Sequence, residues 1–196
     1  MREYEADILQ IEPRGPSAFL IDLVIPDPVF FAIPGQFVQV RISDGADPFL
    51  RRPFSLCGAE PKTGFIRLMI DAIGRGTCLL RGLPCGGKLN LIGPLGAGFD
   101  PELGGRTPCI LVAGGLGAAP LVFLANWYGR RSGREVVFMI GARNEERLAV
   151  ADNLIERGAA VMLATEDGSR EYHGPVTGLL EKKLAEFSPG AIFTCG

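Results

Sequence analysis

Histidine is almost absent from this sequence, since His173 is the only one among 196 residues. The Ser/His and Cys/His pairs that activate nucleophiles in many hydrolases are therefore largely excluded. The five cysteines form no C-x-x-C pair, which also argues against a structural zinc site. Their odd number and irregular spacing argue against a disulfide framework.

Long apolar runs and a strong net charge are missing as well. No run approaches the roughly 18 residues that a membrane-spanning helix needs, so no membrane partner is expected. The first ten residues lack a signal-peptide pattern, which makes a cytoplasmic location the default expectation. A formal net charge of −2 disfavours a nucleic-acid partner held by bulk electrostatics. With 47% hydrophobic and 21% charged residues, the chain is globular and long enough for two modest domains.

The first hundred residues consist of short apolar segments bounded by glycine, proline or aspartate. A helix is expected at 76–83, where glycine and threonine precede leucines that lie on one side. Short strands at this spacing predict a small antiparallel β-barrel domain over residues 1–100. The predicted strands are 18–25, 35–42, 52–58, 65–73 and 88–96.

The second half alternates between strand and helix patterns. Such alternation predicts a parallel sheet with helices on both faces, that is, an α/β domain over residues 101–196. The boundary between the domains is expected near 100–108. The predicted strands are 109–115, 135–143, 160–169 and 191–196, and the predicted helices are 118–131, 145–158 and 176–187.

The segment "LVAGGLGAAPL" places a glycine-rich turn between a strand and a helix. Gly114, Gly115 and Gly117 would let the backbone approach a ligand, and the helix N-terminus would offer N–H groups to a pyrophosphate. Pro120 stands where the usual dinucleotide fingerprint has its third glycine, so the pattern is not the Rossmann one proper. A tight turn without a ligand is the alternative.

The segment "IGRGTCLL" offers a second possible phosphate cradle. Gly74 and Gly76 flank an arginine, and Thr77 opens a helix whose first N–H groups, hydroxyl and dipole suit an anion. An ordinary capped helix is the alternative interpretation.

The stretch "FLRRPFSLCG", residues 49–58, puts two arginines and a proline at the head of an apolar strand. Arg52 could make a charge-assisted contact to a phosphate, Phe54 could lie against a flat ring, and Ser55 could bond a ring nitrogen. In a regular strand Arg52 and Phe54 share one face, with Ser55 on the other. The alternative is a pair of solvated arginines that protect a strand edge. We interpret Arg51 as a surface residue and Arg52 as an anion anchor.

Taken in order, these motifs resemble those of the ferredoxin–NADP reductase superfamily. "RRPFS", "GRGT", "GPLGAGF" (93–99), "VAGGLGAAPL", "GAR" and "TCG" follow one another over nearly the whole chain. Within the superfamily, the chain is most similar to the electron-transfer subunit of class B dihydroorotate dehydrogenase. The resemblance implies an FAD-binding β-barrel followed by an NAD-binding α/β domain.

The same resemblance implies the flavin site. Arg52 would face an FAD phosphate, and Gly76 and Thr77 would hold the pyrophosphate. The flavin ring would be lined by Pro53, Phe54, Ser55, Met69, Ile70 and Asp71.

For the nicotinamide nucleotide, the resemblance implies a site at Gly115 and Gly117, with Cys195 near the nicotinamide ring. The cofactors would supply the chemistry, so no protein residue is assigned as a catalytic acid or base. A chain with one histidine is consistent with that expectation.

In function, the resemblance implies a flavin-dependent oxidoreductase subunit. Electrons would leave dihydroorotate in a partner catalytic subunit of the FMN type, cross an iron–sulfur cluster to FAD and reduce NAD, as part of pyrimidine biosynthesis in a heterotetramer. Two alternatives stay open. One is the electron-input subunit of a related complex, of the sulfhydrogenase gamma, sulfite reductase or ferredoxin:NADP oxidoreductase type. The other is an interaction module that has lost its cofactor.

The iron–sulfur segment marks a departure from the subfamily. Its 2Fe–2S cluster is held by a C-x4-C-x2-C…C pattern that none of the five cysteines here follows. We therefore assign no metal ligand and expect a truncated or incomplete subunit. Cys57 and Cys109, on predicted strands, are expected to be buried.

Weaker candidates lie in the second half. Glu166 and Asp167 could bond a ribose or form a solvated turn, and Arg143 could contact a nucleotide, including a 2′-phosphate. His173 is interpreted as a loop residue rather than a catalyst.

Overall fold

A computed structural model describes residues 2–26, 30–43, 45, 47–131, 133–148 and 159–196. The chain divides into two compact units, Met1–Phe99 and Asp100–Gly196. We call them the barrel unit and the sheet unit.

The barrel unit is a closed antiparallel barrel with the strand order β1-β2-β5-β4-β3-β6. One short helix, α1, separates β5 from β6. The elements are β1 (Arg2–Arg14), β2 (Ala18–Val24), β3 (Phe37–Val40), β4 (Arg52–Glu60), β5 (Phe65–Asp71), α1 (Arg75–Arg81) and β6 (Lys88–Leu95).

Strand β1 is the one barrel strand that the sequence analysis did not predict. It pairs with both β2 and β6 and so closes the barrel. Its inward positions Tyr4, Ala6 and Ile8 are buried, while Glu3 and Glu5, which alternate with them, are exposed. This alternation is typical of a half-buried strand. The other strands were predicted from apolar runs, and in β1 the charges of the outer face interrupt such a run.

The core of the barrel unit gathers around β2. Phe19, Leu20, Ile21 and Leu23 are fully buried, which explains the nearly continuous apolar run of this strand. Asp22 is also buried, and it receives hydrogen bonds from Arg67 Nε at 2.6 Å and Nη2 at 2.7 Å. The two-pronged contact satisfies both carboxylate oxygens, as a buried charge requires.

The sheet unit is a five-stranded parallel sheet with the order β10-β9-β8-β7-β11. A 3₁₀ turn at Gly115–Gly117 connects β7, the first strand of this unit along the chain, to the helix α2. The elements are β7 (Cys109–Gly114), α2 (Ala118–Arg131), β8 (Val136–Ala142), α3 (Glu145–Leu148), β9 (Ala159–Thr165), β10 (Tyr172–His173), α4 (Val176–Glu186) and β11 (Ala191–Cys195).

The barrel followed by a parallel α/β sheet confirms the predicted fold class. The predicted helix 145–158 is described at Glu145–Leu148, and its remainder lies outside the described residues. The interpretation of His173 as a loop residue was wrong, because it forms the two-residue strand β10 and pairs with Thr165. So short a strand leaves no alternating pattern in the sequence. None of the helices in the described ranges has the length and apolar character needed to span a membrane.

Candidate functional site

Helix α1 begins beside the first residue of strand β4. A Cβ atom built on Gly76 would lie 3.9 Å from Nε of Arg52 and 3.5 Å from Cγ1 of Ile42. Two segments that the sequence analysis assigned separately to phosphate, "RRPFS" and "GRGT", therefore meet in the barrel unit.

The first turn of α1 leaves N–H groups available. Gly74 caps the helix, and its N–H donates to Oγ1 of Thr77 at 3.1 Å, while that hydroxyl donates back to the Gly74 carbonyl at 3.0 Å. The Cys78 N–H also donates to the Gly74 carbonyl, at 2.9 Å. The N–H groups of Arg75, Gly76 and Thr77 precede that bond and have no carbonyl within the helix to bond. The main chain, rather than the Thr77 hydroxyl, thus offers the free donors.

The two adjacent arginines have different surroundings. In the described part of the chain, Arg52 hydrogen bonds main-chain carbonyls, those of Leu50 at 2.9 Å and Arg51 at 3.4 Å. Its positive charge therefore faces no described carboxylate. Arg51 Nη2, in contrast, lies 2.6 Å from Oε1 of Glu3. Only Arg52 of this pair keeps an uncompensated charge for an anionic ligand.

The interpretation of Arg51 as a surface residue was wrong. Its side chain is 19% exposed and lies along the barrel rather than in solvent. It donates to Oδ1 of Asn90 at 2.6 Å and to the carbonyls of Gln39 and Asn90 at 3.4 Å. These partners are distant in sequence, so no local pattern indicates them.

The residues assigned to the flavin ring fall into two groups. Pro53 is exposed and Phe54 and Ser55 are half-buried, on β4 where it pairs with β3. Met69 and Ile70 on β5 are 4% and 1% exposed. Their side chains belong to the core, so a ligand at this end of β5 would meet their main chain instead. Asp71, which ends β5, is half-buried.

Gln36 is a residue of this region that the sequence analysis did not single out. Its side chain accepts the N–H of Ile33 at 3.0 Å and donates to the carbonyl of Gly96 at 2.8 Å. Its own carbonyl accepts the N–H of Leu56 at 3.0 Å. Gln36 thus joins the "GPLGAGF" loop to β4, a role set by long-range contacts.

In the sheet unit, the glycine-rich turn and the end of β11 are in backbone contact. A Cβ atom on Gly117 would lie 2.2 Å from the carbonyl oxygen of Cys195, closer than any real contact. Gly115 has a φ of +52°, a conformation that favours glycine. The structure therefore brings Gly117 and Cys195 together, and glycine at 117 is a requirement of the fold. Partial burial raises the pKa of the Cys195 thiol, which keeps it protonated at neutral pH.

Two acidic residues continue the carboxyl end of β9. The N–H of Glu166 donates to the carbonyl of Ala142 at 3.1 Å, and that of Asp167 to the carbonyl of Arg143 at 3.2 Å. The Asp167 carboxylate accepts the Ser169 hydroxyl at 2.7 Å, a bond that lowers the pKa of Asp167. The turn interpretation and an exposed carboxylate at the ligand-binding edge of a parallel sheet are thus compatible.

The cysteines do not gather. Cys57 and Cys109 are buried as expected, and burial raises both thiol pKa values, that of Cys57 to about 12. Cys78 and Cys85 are exposed. Across the ranges that the structure covers, no group of three or more His, Cys, Asp or Glu side chains is placed to hold a metal ion.

Comparison of the sequence with known proteins finds electron transfer subunits of dihydroorotate dehydrogenase B among its relatives. The chain is 33% identical over 193 residues to the dihydroorotate dehydrogenase B (NAD(+)) electron transfer subunit of Desulforamulus reducens, covering 98% of this chain and 73% of the relative. It is 36% identical over 164 residues to the subunit of the same name from Bacillus caldolyticus, covering 83% of this chain and 62% of that relative. No family model matches.

Comparison with solved structures gives the same superfamily. A structure of an NADH-dependent reduced ferredoxin-NADP oxidoreductase matches with a TM-score of 0.83 and 25% identity, over 97% of this chain and 67% of that one. A ferredoxin NADP+ reductase from Neisseria gonorrhoeae, with bound FAD and NADP, matches in fold with a TM-score of 0.77 and 19% identity, over 99% of this chain and 84% of that one. The resemblance seen in the motifs is confirmed. The chain belongs to the family of dihydroorotate dehydrogenase B (NAD(+)) electron transfer subunits.

Proposed function

We propose that this chain binds FAD on its barrel unit and a nicotinamide nucleotide on its sheet unit, and passes electrons between NAD and a partner catalytic subunit that oxidises dihydroorotate. The observation that carries the proposal is that a Cβ atom built on Gly76 would lie 3.9 Å from Nε of Arg52. The guanidinium of Arg52 and the free N–H groups at the start of α1 would then bind the same phosphate group.

The fold itself gives no reason for glycine at position 76. A Cβ there would make only ordinary van der Waals contacts, the nearest at 3.5 Å from Ile42. Glycine inside a helix costs about 1 kcal/mol relative to alanine. A glycine that the packing does not require, next to free N–H groups and an arginine, is what the close approach of a pyrophosphate needs. The charge of Arg52 and the free N–H groups of this turn fit the anionic pyrophosphate of FAD.

When bound, FAD would supply the redox chemistry, taking up electrons as a pair and giving them on singly or as a hydride. The protein residues would bind and orient. Arg52 and the first turn of α1 would hold the phosphates, and the half-buried Phe54 and Ser55 would contact the ring. No protein side chain is assigned as a proton donor or acceptor, because the cofactors would supply the chemistry.

For the nicotinamide nucleotide, we propose NAD rather than NADP. The glycine turn at Gly115–Gly117 precedes α2, a helix of 14 residues whose N-terminus suits a pyrophosphate. Glu166 and Asp167 are exposed at the carboxyl end of β9. Carboxylates there accept hydrogen bonds from a ribose 2′-hydroxyl and repel a 2′-phosphate.

The partner is part of the proposal. The relatives carry the name electron transfer subunit, which implies a catalytic subunit beside it, and we propose the FMN type in a heterotetramer. A 2Fe–2S cluster between the two flavins is expected for the family. The cysteine pattern that would hold it does not occur in these 196 residues, so no step is assigned to this chain's own cysteines.

The experiment that tests this function measures partner-dependent electron transfer. The FAD-loaded chain should oxidise NADH with ferricyanide as acceptor, and it should reduce NAD with dihydroorotate only after a catalytic dihydroorotate dehydrogenase subunit is added. Failure of the chain to form a complex with that catalytic subunit, despite NADH oxidation, would contradict the proposed partner.

A second candidate function is electron input to a ferredoxin-linked complex. The observation that favours it is the match to the NADH-dependent reduced ferredoxin-NADP oxidoreductase, at 25% identity and a TM-score of 0.83. The discriminating measurement replaces the catalytic subunit with reduced ferredoxin in the same assay. NAD reduction by ferredoxin and none with dihydroorotate would select this alternative.

A further inference from the structure

Arg51 joins three strands of the barrel through one guanidinium. Its Nη2 donates to Glu3 on β1 and Asn90 on β6, both at 2.6 Å, and its Nη1 donates to the carbonyl of Gln39 on β3 at 3.4 Å. Arg51 itself directly precedes β4. One side chain therefore fixes the start of β4 relative to three other strands.

In the segment before Arg51, Pro48 is buried and Asp47 pairs with Arg75 of α1, but the two residues next to Arg51 are held by little else. Phe49 and Leu50 are 78% and 66% exposed, so they contribute little packing. Arg52 nevertheless orients against this segment, because its Nη1 donates to the carbonyls of Leu50 at 2.9 Å and Arg51 at 3.4 Å. The direction of the Arg52 guanidinium thus depends on the main chain at residues 50–51.

We propose that Arg51 is a positioning residue for the FAD phosphates: it anchors the main chain at 50–51, against which Arg52 is aimed at the first turn of α1. The proposal rests on the proposed function, since it concerns the same FAD site. Arg51 itself is not proposed to contact the ligand, because its guanidinium is paired with Glu3 on the outer face of β1.

The proposed role of Arg51 depends on the geometry of its guanidinium and not on its charge alone. The carboxylate of Glu3 also receives Nη2 of Arg41 at 3.1 Å, and the Glu3 side chain is 51% exposed. An ion pair of that exposure adds little stability by charge alone. The guanidinium of Arg51 reaches Glu3, Asn90 and Gln39 at the same time, which the single ammonium of a lysine cannot do.

Arg41 provides a matched control. It is also an arginine on the barrel, and it shares the Glu3 carboxylate with Arg51. Its side chain is 43% exposed, and it follows β3 rather than preceding β4. Loss of its charge should leave Arg52 where it is.

The test is a double-mutant cycle on the affinity for FAD, measured by quenching of flavin fluorescence on the full chain. Arg51→Gln should weaken FAD binding about tenfold, and Arg51→Lys nearly as much. The double variant Arg51→Gln/Arg52→Gln should bind no more weakly than Arg52→Gln alone, because Arg51 acts through Arg52. Arg41→Gln should stay within twofold of the wild type.

A stability control separates positioning from general loosening of the barrel. Asp22→Asn breaks the buried pair with Arg67 elsewhere in the barrel and should lower the free energy of unfolding while leaving the FAD dissociation constant unchanged. Three results would each overturn the proposal: FAD affinity of Arg51→Lys equal to the wild type, independent effects of Arg51→Gln and Arg52→Gln, or an Asp22→Asn effect on FAD as large as that of Arg51→Gln. An unchanged affinity in Arg52→Gln would instead refute the proposed FAD site itself.

Discussion

The Nε atom of Arg52 lies 3.9 Å from the place where a side chain on Gly76 would begin. The two residues are 24 positions apart in the sequence, on β4 and α1, and a third segment, at Ile42, packs on the same glycine. The barrel thereby brings two weak sequence motifs into one corner, which we propose binds the FAD phosphates.

Replacing Arg52 with alanine should reduce FAD affinity about 10- to 100-fold, since a charge-assisted contact contributes roughly 1.5–3 kcal/mol. The fold should be retained, because the side chain bonds only carbonyls at its own segment in the described chain. FAD content of the purified protein and the dissociation constant measure the effect. Equal FAD content in Arg52→Ala and wild type would place the phosphates elsewhere.

Replacing Gly76 with alanine should separate ligand binding from stability. The new methyl group meets ordinary contacts and improves helix propensity, so the free energy of unfolding should stay or rise by up to about 1 kcal/mol. FAD affinity should fall about tenfold, because the methyl group stands beside the N–H donors. The control is Gly58→Ala in β4, where a Cβ would lie 3.8 Å from Arg67. An alanine at 76 that costs no affinity would show that the flavin does not approach this turn.

Replacing Gly117 with alanine should damage the proposed nicotinamide site by disturbing the fold of the turn. The Cβ would lie 2.2 Å from the Cys195 carbonyl, so the backbone of the turn or of β11 must move. We expect lower thermal stability. We also expect a rise of at least tenfold in KM for NADH, because displacing the turn that positions a ligand commonly has an effect of that size. Gly114→Ala is the matched change for the fold, since its Cβ would meet Gly196 at an ordinary 3.5 Å. Equal melting temperatures for the two variants would contradict this description of the turn.

Alkaline pH should weaken the folded state through Cys57. Burial raises the pKa of its thiol from 9.0 to about 12, so between these values the unfolded chain carries a thiolate and the folded chain a thiol. The unfolded state then binds fewer protons, and the free energy of unfolding falls with rising pH by at most about 1.4 kcal/mol per unit. This contribution is fully present below pH 9. In urea titrations at pH 8, 9 and 10, Cys57→Ala should show a shallower decline than wild type, and parallel declines would contradict it.

Local patterns carried most of the fold. Strands such as β2 and β8 are buried along nearly their whole length, so their apolar runs stand out, and glycine and proline mark their ends. Strand β1 was not predicted because its outer face carries charges. Strand β10 was not predicted because two residues show no periodicity. Both strands are defined by their pairing partners, which a local pattern does not reveal.

The candidate site was likewise predicted only in part. The turns around Gly76 and Gly117 could be located from glycine spacing, since a turn leaves a local mark. The burial of Arg51 could not be predicted, because it is decided by Glu3 and Asn90, residues far away in the sequence.

The most direct test of the central claim is the absorption spectrum of the purified chain after incubation with FAD and removal of the excess. A flavin spectrum with close to one FAD per chain, which is lost in Arg52→Ala and retained in Arg41→Ala, is the predicted result. A colourless wild-type protein with no bound flavin would contradict the account, and would indicate an interaction module that keeps the fold without its cofactor.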